Sequence, residues 1–475
     1  MGGRWQKSAT DTTFAVYNPA TGEHIANVHD ASAEDGIVAL DLAQEAQASW
    51  AATAPRTRSD LLLRAYDLVL ERTEQFAAVI STEMGKPLQE ARGEVSYAAD
   101  FLRWFAEEAV RINGRYTSSP DGKQRFIVTY KAVGPSLLIA PWNFPLAMAT
   151  RKIAPALAAG CTVILKPSEL TPLTALLFGQ VLVDAGVPEG VVSILPTTSA
   201  SELVQPLMED PRLRKISFTG STAVGRVLLE QSGKHVLRSS MELGGNAPLI
   251  VFEDADVDAA VEGALLAKVR NAGQVCTSAN RFYVHQSLVE VFSQKLAARM
   301  SQLVVGPGHE PATQLGPLID HRAVAKVAEL VNDAVAFGAR VLTGGHRVAG
   351  PGSFFEPTVL VDVPSEARIL REEVFGPVAP IVSFSTEQEA IDLANDTEFG
   401  LVAYAFTKNI DRGLRLAEKL ETGMLGLNAG VIANPAAPFG GVKESGVGRE
   451  GGAEGIHEYL ETTFVGIGSS GSTEL

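Results

Sequence analysis

Cysteine is nearly absent: Cys161 and Cys276 are the two in 475 residues. Two thiols cannot build a disulfide framework, and without a CxxC pair they offer no metal-ligand spacing, so no metal is expected. Long apolar runs are missing as well. Each falls short of the ~18 residues a bilayer span requires, and no membrane association is expected. The opening MGGRWQKSATDT has no apolar leader core, and Gln6 takes the Ser/Thr position of a myristoylation motif, which leaves a cytoplasmic protein as the expectation. Basic charge is short too: 40 Lys and Arg stand against 55 Asp and Glu, a formal charge of −15 with no Lys/Arg run. This argues against nucleic acid as a partner, since phosphate binding needs a basic face. Neither a GxGxxG fingerprint nor a P-loop ending in GK[ST] occurs, and no repeat recurs at a period of about twenty to fifty residues.

What is present is ordinary soluble α/β material, with 46% hydrophobic residues, 20% charged residues and 44 glycines. The length exceeds the roughly 250–300 residues at which one core stops growing, so two or more units are expected. Leu62, Tyr66, Val69 and Phe76, then Phe101 and Phe105, recur at helical spacing between about Asp60 and Arg111. From Ser136 to Leu243 short apolar runs alternate with helix-length segments: SLLIA at 136–140, TVILK at 162–166, VVSIL at 191–195 and KISFT at 215–219. Such alternation predicts a parallel sheet covered by helices, with ligands at the carboxyl ends of its strands. A second α/β series starts at PLIVF, 248–252, and runs through a helix bearing Val324, Val327, Val331 and Val335, stopped by Gly338. FIVTY at 126–130 and TFVGI at 463–467 belong to neither series. Left alone they expose unpaired edges, so they are expected to pair with each other or with another subunit. The Gly/Ser stretch from Gly466 to Thr473 reads as a frayed terminus.

Cys276 lies in NAGQVCTS just after a helix, in a turn where a thiol is accessible, whereas Cys161, at the entry to a strand, fits a buried packing residue. Thiols attack carbonyls well but are mostly protonated at neutral pH and need a base. Glu242, at the end of a strand in MELGGNAP, offers one for the thiol or for water. Asn143, held in PWNFP, offers an amide N–H to an oxyanion, a contribution worth about a hundredfold to a thousandfold in rate. Gly220 and Ser221 open a helix at a strand end, an anion site suited to a pyrophosphate. Lys166 and Glu169, in ILKPSE, are placed to hold ribose hydroxyls.

Together PWNFP, LKPSE, FTGST, MELGG, GQVC and EEVFGP resemble the aldehyde dehydrogenase superfamily, in order and spacing, from about Phe14 to Gly468. The resemblance implies an α/β fold with a Rossmann-like cofactor domain (1–122 and 141–245), an α/β catalytic domain (246–440) and a small β oligomerisation flap (123–140 and 441–475) in a homodimer or homotetramer. It implies Cys276 as nucleophile and Glu242 as base, with Asn143 in the oxyanion hole. It also implies NAD, or possibly NADP, as cofactor, held by Trp142, Lys166, Ser168, Glu169, Gly220, Ser221, Leu243, Glu373 and Phe375. VRNAGQVC, IVFEDADVDAAVEGAL and PFGGVKESGVGREGG resemble the succinate-semialdehyde dehydrogenases most. That group binds its substrate's carboxylate through two arginines and a loop serine, which matches Arg111 and Arg270. The serine position carries Ala433, with Asn434 beside it, and glutarate semialdehyde is the alternative substrate. A thiol two residues beyond the nucleophile is replaced by Ser278, so no neighbouring disulfide can form. A non-catalytic paralogue conflicts with the survival of thiol, base and amide, and a CoA-acylating relative conflicts with Glu242.

Overall fold

The computed structural model describes residues 1–468. The remainder of the Gly/Ser tail lies outside the described residues, and Gly466 to Gly468, expected to fray, end a strand. Two parallel-based sheets carry the chain. The first has six strands in the order Gly446–Val447, Arg238–Glu242, Lys215–Thr219, Ser136–Ile139, Val163–Lys166 and Val192–Ile194, parallel except for the Gly446–Val447 edge. Alternation along the strands sends Leu138 and Leu165 to one face and Leu137 and Ile164 to the other, so each face builds its own core. On the first face pack the helices Pro55–Glu71, Leu88–Ala109 and Pro145–Ala159. The last of these is buried along its whole length, polar residues included.

The second sheet has seven strands, ordered Arg340–Thr343, Thr358–Val361, Val378–Phe384, Ala279–His285, Ala247–Val251, Val402–Phe406 and Met424–Leu427, with the Arg340–Thr343 edge alone antiparallel. Ala247–Val251 follows Arg238–Glu242 after Leu243, Gly244, Gly245 and Asn246, so this short link carries the chain from one sheet to the other.

Gln124–Ala132 and Leu460–Gly468 pair antiparallel along nine residues, Phe464 opposite Val128, and Arg115–Ser118 adds a third strand. The two runs outside the main sheets thus satisfy each other's backbone. The flap boundaries differ from those expected. Ser136–Ile139 is a central strand of the first sheet, and Gly446–Val447 is its edge, so neither belongs with the flap. The SLLIA run at 136–140 already reads as a strand of the first series, whereas the two residues Gly446–Val447 are too few to show a period.

Candidate active site

The carboxyl ends of the first sheet face the second across a cavity of about 320 Å³. Trp142, Asn143, Thr219, Gly220, Ser221, Leu243 and Gly244 reach it from the first sheet. Val275, Cys276, Thr277, Glu373 and Phe375 reach it from the second. Close approach of the two sides requires missing side chains. A Cβ on Gly245 would stand 2.7 Å from the Cys276 carbonyl, and one on Gly273, whose φ is +76°, would stand 2.2 Å from the Gly376 carbonyl.

Cys276 sits in a turn between a 3-10 segment and the strand Ala279–His285, half-buried and free, while Cys161 is fully buried with its thiol on the Tyr459 carbonyl at 3.4 Å. Burial pushes the Cys276 thiol up to about 12; Glu242 and Glu373 add to the rise, and Arg151 and Arg270 oppose it. Asn143 donates one Nδ2 hydrogen to the Gln274 carbonyl at 2.9 Å, which fixes the amide plane and leaves its second hydrogen available.

Glu242 ends its strand as expected, but its carboxylate lies behind the cavity wall, buried, with neither oxygen hydrogen-bonded. Burial and the neighbouring Glu450 push it up to about 8, against the pull of Arg151 and Lys152. Glu450 is raised by burial but held below its ordinary value by Arg151 and Lys152, whose Nζ donates to it at 2.6 Å.

Of the expected cofactor residues, Trp142, Gly220, Ser221, Leu243, Glu373 and Phe375 line the cavity. Trp142 and Phe375 meet edge to face at 5.5 Å. Ser221 caps the helix Thr222–Gly233, its side chain accepting from Val224, so the first N–H groups of that helix open toward the cleft. Burial raises Glu373 to about 7, and its Oε1 accepts from the Gly245 N–H at 3.3 Å. Lys166 and Glu169 stand at the next strand end, outside the cavity wall, paired at 3.3 Å. Ser168 Oγ accepts from the Leu170 N–H in the same turn.

The substrate residues require correction. Arg270 lines the cavity, its guanidinium 5.4 Å from the Phe144 ring centre. Arg111 does not: it lies just beyond the end of the helix Leu88–Ala109, exposed, and bonds Glu108 at 2.8 Å. The residue this helix presents to the cavity is Tyr97, more than three turns before that end. Asn434 is also exposed, its Oδ1 accepting from the Ala436 N–H to close its own turn. The second cavity arginine is Arg151, on the fully buried helix Pro145–Ala159. It pairs with Glu450 and stacks on Phe439 at 4.2 Å, while its Nη2 is buried without a hydrogen-bond partner. Its sequence signal was an Arg–Lys pair inside an otherwise apolar helix, with no acid within helical reach.

A model of the aldehyde dehydrogenase family matches residues 5–465. The chain belongs to the aldehyde dehydrogenase family. It is 58% identical to a succinate-semialdehyde dehydrogenase of Paenarthrobacter nicotinovorans, over 93% of this chain and 98% of that one. Identity to a glutarate-semialdehyde dehydrogenase of Pseudomonas putida is 48%, over 98% and 97%. Among solved structures, an NADP-dependent enzyme of Escherichia coli superposes with a TM-score of 0.97 at 46% identity, covering 98% and 97%. As an aldehyde dehydrogenase, the chain oxidises an aldehyde to an acid with NAD(P)+. The cleft fits such a cofactor: a capped helix N-terminus for the pyrophosphate, an aromatic pair and a buried carboxylate face it from its two sides. No helix among the described residues is long and apolar enough to cross a membrane, and none of their His, Cys, Asp and Glu side chains cluster as a metal site.

Proposed function

We propose that this aldehyde dehydrogenase takes succinate semialdehyde, with Cys276 as nucleophile and the substrate's carboxylate held between Arg151 and Arg270. The observation that carries this is Arg151: a buried guanidinium nitrogen without a partner, beside the same cavity as the nucleophile, is costly unless an anion completes it. Charge-assisted bonds to that anion are worth about 1.5–3 kcal/mol each. The Cys276 sulfur adds to the aldehyde carbon, and the thiol proton passes to solvent. The second Asn143 N–H and the Cys276 backbone N–H receive the resulting oxyanion. Trp142 and Phe375 would hold a nicotinamide, which when bound would supply the hydride acceptor needed to leave a thioester on Cys276. Glu242, turned toward the cavity, then removes a proton from water, which attacks the thioester and frees the acid. NAD is the preferred cofactor, and the flap, with Phe464, Val465 and Ile467 exposed, joins subunits of a homo-oligomer.

The test compares succinate semialdehyde, glutarate semialdehyde and uncharged butanal in the wild type, Arg151→Leu and Arg270→Leu. Expected is a preference of at least about a hundredfold in kcat/KM for succinate semialdehyde over butanal, lost in both variants. Equal efficiency of the two in the wild type contradicts the carboxylate pocket, and preference for the longer chain reassigns its length.

A further inference from the structure

Behind the loop that bears Asn143 lies a buried charged cluster that the chemistry above does not use. Lys86 and Glu94 form an ion pair at 2.5 Å with side chains 1% and 0% exposed. The Lys86 ammonium spends its remaining contacts on one place: Nζ donates to the backbone carbonyl of Asn143 at 2.9 Å and lies 3.8 Å from the centre of the Phe144 ring. Glu94 turns its other oxygen to the N–H groups of Leu146 and Ala147, at 2.9 and 3.2 Å, in the first turn of the helix that follows Asn143.

The same Asn143 carbonyl accepts a second donor, the Asn271 side-chain amide, at 3.0 Å. Asn271 and Ala272 have φ of +51° and +54°, a conformation L residues hold only when their surroundings impose it. One such restraint is visible: the Asn271 N–H donates to Glu90 at 2.7 Å, a neighbour of Lys86 and Glu94. The Asn271 amide also reaches the Gln274 carbonyl, the group that anchors the Asn143 side chain, two residues before Cys276. Lys86 and its two glutamates therefore grip both the loop that carries the oxyanion donor and the loop that carries the nucleophile. A single backbone carbonyl needs no buried ammonium for its satisfaction, since a water or a neutral amide serves. A fixed ion pair is stiff in the one respect a site requires, the relative position of two loops from different sheets.

We propose that Lys86, with Glu94 and Glu90, is a positioning residue for the oxyanion hole, setting the free Asn143 N–H against the carbon that Cys276 attacks. This rests on Asn143 acting as the oxyanion donor. The hydrogen bonds of Lys86 go to Glu94 and the Asn143 carbonyl, and not to Arg151, Arg270 or a residue assigned to the cofactor, so its loss affects rate more than affinity.

The experiment is a double-mutant cycle on the full chain: Lys86→Met, Asn143→Ala and the two combined, with succinate semialdehyde and NAD, folding checked by circular dichroism and thermal melting. Lys86→Met/Glu94→Gln, which removes both charges of the buried ion pair, carries the same expectation if the single variant does not fold. Expected is a fall in kcat of about tenfold to hundredfold, as for a small misplacement of reacting groups, with both KM values changed by less than about threefold. Loss of Lys86 costs nothing further once Asn143 is alanine. Wild-type kcat in a folded Lys86 variant, or a loss that multiplies with that of Asn143→Ala, overturns the proposal. Undiminished kcat in Asn143→Ala alone overturns the oxyanion assignment instead.

Discussion

At the scale of single residues the site is set by buried charge. The proposed mechanism uses Glu242 as a carboxylate to activate water, while burial and Glu450 raise it to about 8. An acid with a raised pKa is protonated and idle below that value, so release of the acid product quickens as pH rises through about 8. Glu242→Gln should slow release by about a hundredfold or more and abolish that rise, which single-turnover and steady-state rates across pH measure directly. A pH profile unchanged in the variant would assign the rise to another group. The positions of Cys276 and Asn143 at one cavity, and of Glu242 at a strand end, were legible in the sequence because short glycine- and proline-bounded motifs isolate them. Arg151 was not, because it stands in an apolar helix where one side chain gives no period. Arg111 was chosen in its place because sequence alone does not show which way the last turn of a helix faces.

At the scale of elements, strand ends supply the site. KISFT at 215–219 is a strand with the expected bounds, and the Gly220–Ser221 helix start follows it as read. The flap boundary differs because a four-residue strand at Ser136 follows the nine-residue strand Gln124–Ala132 after only three residues. The end of the strand Val163–Lys166 carries the proposed preference for NAD. Glu169, 42% exposed at its side chain, pairs with Lys166 there, and a carboxylate so placed disfavours a 2′-phosphate and occupies the cation such a group would use. Wild type should therefore show at least about tenfold higher kcat/KM with NAD than with NADP, and Glu169→Ser should shift the ratio toward NADP by freeing Lys166. A wild-type preference for NADP would refute this reading.

At the scale of the molecule, a chain with a formal charge of −15 is read here as taking an anion. The overall charge and the site differ because Arg151 and Arg270 both line one cavity, where low dielectric strengthens their effect. Two sheets joined by the short Leu243–Asn246 link make that concentration possible, since each supplies loops the other lacks. The two-domain α/β organisation was legible from strand and helix alternation. The packing that brings Lys86 and Arg151 to the site was not, because it depends on contacts between segments more than fifty residues apart. The central claim is that oxidation passes through an acyl thioester on Cys276, and it is tested by trapping that species. Glu242→Gln enzyme is mixed with succinate semialdehyde and NAD, quenched in acid, digested and weighed peptide by peptide. A succinyl group on the Cys276 peptide and none on the Cys161 peptide is the predicted result, whereas product formation with no acyl group on Cys276 would contradict the account.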